Sequence, residues 1–148
     1  MKIYLDVCCL NRPFDDQTQD RIHLESEAVL RILEHCQIGK WQLIGSEVID
    51  FEISKIPDAE RRHKVDSLAS LAKFGVTVDE EVEERALILE KAGIKSVDAL
   101  HLACAEKTEA DIFLTTDDRL LQNVFRNNKL TKIRLDNPIN WLMEVMKK

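Results

Sequence analysis

Apolar and polar positions along the chain follow two alternating periods. Lys2–Val7 sets Ile3, Leu5 and Val7 on one face and Tyr4 on the other, the period of a strand. Asn11-Arg12-Pro13 and Asp15-Asp16 read as a loop. From Asp20 the spacing turns helical, with Ile22, Leu24, Ala28, Val29, Ile32, Leu33 and Cys36 in one stripe that Gly39 ends. Trp41–Gly45 is a second short strand. Ser46 is placed to cap a helix that runs to about Lys55 and stops near Pro57. A helix over Ala59–Lys73, a weaker strand Val76–Val78 and a helix over Glu80–Lys91 follow, the last closed by Gly93. Ser96 starts a helix reaching about Lys107, and Ile112–Thr115 is a fourth strand. A helix over Arg119–Arg126 and a fifth strand, Lys132–Leu135, precede Asn137-Pro138, where proline suits the first helical position of the last helix.

Strands alternating with helices predict an α/β fold whose mainly parallel sheet is covered on both faces. At 148 residues, with few glycines and prolines and no linker-like stretch, the chain reads as one domain over residues 1–148. In such sheets ligands bind beyond the carboxyl ends of the strands, where the strand order reverses. That rule says where to look for chemistry.

Composition alters this picture little. The apolar run before Asp6 is too short for a signal peptide, and no run approaches the ~20 residues that span a bilayer, so a cytoplasmic protein with no membrane contact is expected. Cys8, Cys9, Cys36 and Cys104 lack zinc or redox spacing and read as reduced, mostly buried thiols. A net charge of −6 argues mildly against a nucleic-acid partner. Carboxylates that await a cation, however, make a metal-free chain look more acidic than its working form. The basic clusters Arg61-Arg62-His63-Lys64 and Arg126, Lys129, Lys132, Arg134 read as solvated faces.

Acids stand at four places that suggest chemistry. Asp6 closes the first strand, where a carboxylate must be paired, hydrogen-bonded or metal-bound. Glu52 sits inside the stripe formed by Val48, Ile49, Ile53 and Ile56, as a site residue or as a salt-bridged acid. Asp98 lies in the first turn of its helix, where the dipole alone also favours an acid. Asp117 and Asp118 follow the fourth strand, where either one suits an N-cap. Carboxylates that converge without basic partners repel one another and resist ionisation, and a hard cation removes that penalty. Mg²⁺ and Mn²⁺ accept such oxygen ligands and support hydrolysis of phosphate esters.

With these residues identified, the chain resembles the PIN-domain family over nearly its whole length. The resemblance rests on Tyr4-Leu5-Asp6, on Ser46-Glu47-Val48-Ile49-Asp50-Phe51-Glu52, and on Ser96-Val97-Asp98-Ala99-Leu100-His101-Leu102-Ala103 followed by Phe113-Leu114-Thr115-Thr116-Asp117. It implies a three-layer α/β/α sandwich and Mg²⁺- or Mn²⁺-dependent ribonuclease activity. Asp6, Glu52, Asp98 and Asp117 take the places of the family's metal-holding and catalytic acids. Thr115 takes a supporting hydroxyl position, with Asp118 adjacent, and Arg12 is placed to hold a flanking phosphate of the RNA substrate. Small stand-alone members of this kind resemble VapC-type toxins, which implies a homodimer and a cognate antitoxin. In one departure, the family often has Asp-Thr-Asn or Asp-Ser-Ser at the first acid, whereas Asp6-Val7-Cys8 stands here. The group that orients Asp6 must then come from elsewhere, with Asn11 and Ser46 as candidates.

The alternative is a catalytically weak or inactive binding module on the same fold, which the Val7-Cys8 departure and the acidic charge favour. A phosphoacceptor receiver domain fits poorly, because Asp136 rather than a lysine follows Leu135. The 4 glycines form neither a Walker nor a Rossmann loop.

Overall fold

The computed structural model describes residues 1–147. Its strands are β1 (Lys2–Leu5), β2 (Gln42–Ser46), β3 (Phe74–Val76), β4 (Ile112–Leu114) and β5 (Leu135–Asp136). They form one sheet in the order β3-β2-β1-β4-β5, and every pairing is parallel. Among the described residues the helices are α1 (Val7–Asn11), α2 (Asp20–Gln37), α3 (Glu47–Ser54), α4 (Ala59–Ala69), α5 (Glu80–Lys91), α6 (Ser96–Lys107), α7 (Asp118–Arg126) and α8 (Pro138–Met146). They flank the sheet in the expected α/β/α arrangement. None is long and apolar enough to cross a membrane.

Central strands covered on both sides bury residues of both faces, and Ile3, Tyr4 and Leu5 are all at most 1% exposed. This is why the predicted first strand is too long by two residues. Asp6 N–H still donates to the Leu114 carbonyl at 2.9 Å, extending the ladder. The Asp6 carbonyl then accepts from Cys9 N–H at 2.9 Å and the chain turns into α1, which sends Val7, Cys9 and Leu10 into the core. The apolar residue at 7 therefore belongs to a helix, and Arg12–Phe14 forms a 3-10 turn where a loop is expected.

The edge strands are also displaced from their predicted positions. β3 begins at Phe74, with Gly75 opposite Gly45. A Cβ at Gly45 would lie 3.2 Å from Ala72 Cβ and 3.3 Å from the Phe74 carbonyl, so a side chain there would crowd the neighbouring strand. β5 is reduced to Leu135–Asp136, although the Arg134 carbonyl still accepts from Phe113 N–H at 2.8 Å. Gly39 (φ 84°) and Gly93 (φ 107°) follow the ends of α2 and α5 as expected. On α2 the buried face is shifted from the predicted stripe, because Leu24 is exposed and Glu25 is buried.

Candidate metal centre

The strand order reverses between β1 and β4, since the chain builds outward through β2 and β3 on one side and adds β4 and β5 on the other. Leu5 and Leu114 are register partners, so the residues that follow them leave the sheet side by side. Asp6 leaves β1 there, and Thr115 leads from β4 to Asp117. Ser46, at the end of β2, caps α3 by accepting from Ile49 N–H at 3.1 Å, and α3 carries Glu52 back over the same edge. The helix α6 carries Asp98 in its first turn and His101 three residues later.

Asp6 is 7% exposed and His101 is fully buried. His101 Nε2 contacts Glu52 Oε1 and lies 3.9 Å from Asp6 Oδ1. Ligand-type atoms of Asp6, Glu52 and His101 all fall within 4.8 Å of one another. Thr115 Oγ1 donates to Asp6 Oδ2 at 2.8 Å and accepts from Asp117 N–H at 3.1 Å, so one hydroxyl fixes two of the acids. Asp117 also uses Oδ1 to cap α7, accepting from Arg119 N–H at 2.9 Å and Leu120 N–H at 3.3 Å. The N-cap and site readings of Asp117 are therefore compatible.

Burial is the first cause that lifts the Asp98 carboxyl from 3.8 to about 6; the charges of Asp6 and Asp117 add to it, His101 opposes it, and Glu52 adds further. Asp98 thus senses all three other acids, which marks charge gathered without enough compensation. Such a donor set fits a divalent cation. In the metal-free protein the folded state holds the Asp98 proton more tightly than the unfolded state does. Stability contributed by this group therefore falls as pH rises from about 4 to about 6 and stays low above that. Asp98→Asn is expected to exceed the wild type in stability by about 1 kcal/mol at neutral pH without divalent ions, allowing for solvent screening of this half-buried group. The two proteins should converge near pH 4. Urea midpoints in a chelator check this, and equal midpoints at neutral pH would contradict it.

The PIN domain model matches residues 3–125. The chain belongs to the PIN-domain family. No curated protein matches the sequence. Among solved structures, the chain is similar to one in the crystal structure of VapBC2 from Rickettsia felis bound to a DNA fragment from their promoter. The match has a TM-score of 0.57 at 16% identity, covering 93% of this chain and 98% of that one. At that identity the likeness shows the shared fold.

Against the PIN pattern, the remaining predicted residues lie as follows. Asp118 is exposed and points to Arg21, whose Nη1 and Nη2 donate at 2.7 and 2.8 Å. Arg12 is held by Glu25 at 2.8 Å and by Asp15 at 2.9 Å. Neither Asn11 nor Ser46 serves as the orienting group for Asp6. Asn11 donates to the Val7 carbonyl at 3.1 Å and accepts from Arg61, and Ser46 bonds Tyr4 at 2.7 Å. Thr115 orients Asp6 instead. Cys8, the third residue of Asp6-Val7-Cys8, contacts Thr115 Oγ1 and accepts from Thr116 N–H, both at 3.4 Å, so it braces the residue that braces Asp6. Thr115→Val, which keeps the shape and removes the hydroxyl, is expected to weaken divalent-metal binding by roughly tenfold. Calorimetric titration measures this, and unchanged affinity would remove Thr115 from the site.

His101 is the site residue that sequence reasoning passed over. Its signal was present, since Asp98 and His101 are three apart on one helix and so share a face. Its neighbours Leu100 and Leu102 gave the segment the look of ordinary core.

Proposed function

We propose that the chain is a metal-dependent endoribonuclease of VapC type, acting as a homodimer and restrained by a cognate antitoxin. What supports the reading is that Asp6, Glu52, Asp98 and Asp117 lie on elements that meet at the switch point of a PIN fold, with Asp98 made resistant to ionisation first by burial and then by the charges of the others. Family membership supports nuclease chemistry. The VapBC2 likeness supports the toxin setting through its fold alone.

In this reading Asp6, Asp98 and Asp117 hold Mg²⁺ or Mn²⁺, and Glu52 shares in that task or orients the attacking water. When bound, the cation supplies Lewis-acid activation and neutralises charge as the phosphodiester is displaced. Thr115 holds Asp6 and the start of α7 in fixed relation through its two bonds. RNA in single-stranded or looped form is the expected substrate, because duplex grooves offer little to a small site. Arg12, one side of which is engaged by Glu25 and Asp15, lies near the end of β1 and is kept as the candidate for a flanking phosphate.

The alternative of a catalytically weak or inactive binding module drew support from the Val7-Cys8 departure. The Thr115 hydroxyl supplies the orienting bond that the departure removed, which favours an active site. Single-stranded RNA and DNA of one sequence, incubated with the protein and Mn²⁺, separate the two readings. Cleavage of RNA that stops with a chelator is expected. Retention of RNA without cleavage would leave the binding module.

A further inference from the structure

We propose that His101 is itself a ligand of the cation, so that the centre is a mixed nitrogen and oxygen site preferring a first-row transition ion such as Mn²⁺ over Mg²⁺. The proposal rests on the metal-centre reading above and goes beyond its four carboxylates. Three independent observations point to the imidazole.

The first is placement. Nε2 of His101 contacts Glu52 Oε1 and lies 3.9 Å from Asp6 Oδ1, so the Nε2 edge of the ring faces the two carboxylates. The three residues offer one ligand atom each within 4.8 Å of the others, close enough for a single ion to be shared after small side-chain shifts.

The second is spacing. Asp98 and His101 stand at i and i+3 on α6 and so share one face of that helix. A carboxylate and a histidine three apart on an inward-facing helix is the pattern by which helical carboxylate proteins present two ligands to one metal.

The third is the support behind the ring. His101 Nδ1 pairs with the Tyr4 hydroxyl at 2.6 Å, and that hydroxyl pairs with Ser46 Oγ at 2.7 Å. Ser46 Oγ is in turn anchored by Ile49 N–H. Tyr4 is locked by stacking on Phe113 at 5.2 Å between ring centres. A ligating histidine has its second nitrogen held in this manner, which sets the tautomer and leaves the other nitrogen free for the ion. In the metal-bound form Nδ1–H would donate to the phenol oxygen and the phenol O–H to Ser46, which would leave the Nε2 lone pair for the ion. The remaining histidines are set apart. His23 and His63 are exposed, and His35 packs on Trp41.

The choice of ion follows from the donors. Carboxylates and water suit Mg²⁺ and Mn²⁺ alike, whereas an imidazole nitrogen tilts the site toward transition metals. The test uses the full metal-free chain titrated with Mn²⁺ or Mg²⁺ alone, with pulsed electron paramagnetic resonance on the Mn²⁺ form. A nitrogen modulation on bound Mn²⁺ is expected, converting to the ¹⁵N pattern when only histidine is ¹⁵N-labelled. His101→Gln should lose that signal and bind Mn²⁺ at least tenfold more weakly, with a smaller change for Mg²⁺. The labelled wild type carries the test if the variant fails to fold. Bound Mn²⁺ without nitrogen modulation, or modulation that persists in His101→Gln, would overturn the proposal and leave the carboxylate centre standing. Failure to bind either ion would overturn the metal centre itself.

Discussion

Glu25→Ala is expected to destabilise the protein by about 3 kcal/mol, the lower end of the range for removing one partner of a buried ion pair. Glu25 is fully buried on α2, yet three separate parts of the chain bond to it. Arg12 Nε donates to Oε1 at 2.8 Å. Arg21 Nε and Asn137 Nδ2 donate to Oε2 at 3.2 and 2.6 Å. The carboxylate thus ties the turn after α1, the start of α2 and the cap of α8 to one point. The loss stays near the lower end because Arg21 is 53% exposed and regains water readily, while the amide of Asn137 stays buried without its acceptor. Glu25→Gln, which keeps the volume and part of the bonding, should cost about half as much. Urea midpoints measure both, and a loss under 1 kcal/mol for the alanine variant would show that the hub is dispensable. Arg21 also grips Asp118 beside Asp117, so the truncation should slacken the metal centre as well.

Asp98→Ala is expected to reduce RNA cleavage by roughly a thousandfold, the scale of losing a group that stabilises the transition state. The same variant should fold normally. Its carboxylate is held at about 6 chiefly by burial and next by other acids, so removing it relieves strain in the metal-free protein. A variant that is at least as stable as the wild type and nearly inactive separates the site from the fold. Initial rates on single-stranded RNA, with denaturation curves on the same preparations, test both halves. Undiminished cleavage would remove Asp98 from the site.

The legible part of the molecule was the part in which one physical cause dominated. The helices with a single apolar stripe and the mainly parallel character of the sheet follow from periodicity, and the cost of burying charge points to Asp6, which is buried, and to Glu52, which is only half-buried. The family match confirms the PIN resemblance read from the four acids' order. Some elements of two to five residues are missed or displaced, because tertiary pairing rather than local pattern defines them. The helix α1 and the displaced β3 and β5 are of this kind. Glu25 escaped notice although it stands three residues after Ile22 and four before Val29, on the buried side of α2. Its meaning depends on Arg12, Arg21 and Asn137, which the sequence does not place beside it. Thr115 was identified as a supporting hydroxyl, but its bond to Asp6 is a matter of β1 and β4 being neighbours, a fact of topology.

The most direct measurement is incubation of the purified chain and its Asp6→Asn variant with mixed cellular RNA, with Mn²⁺ and with a chelator. Asp6 is the acid at the centre of the arrangement, bonded to Thr115 and facing Glu52 and His101. Cleavage by the wild type that requires Mn²⁺ and disappears in Asp6→Asn is the predicted result. Cleavage that is equal in the two proteins, or RNA left intact by the wild type with Mn²⁺, would contradict a metal-dependent ribonuclease built on these acids.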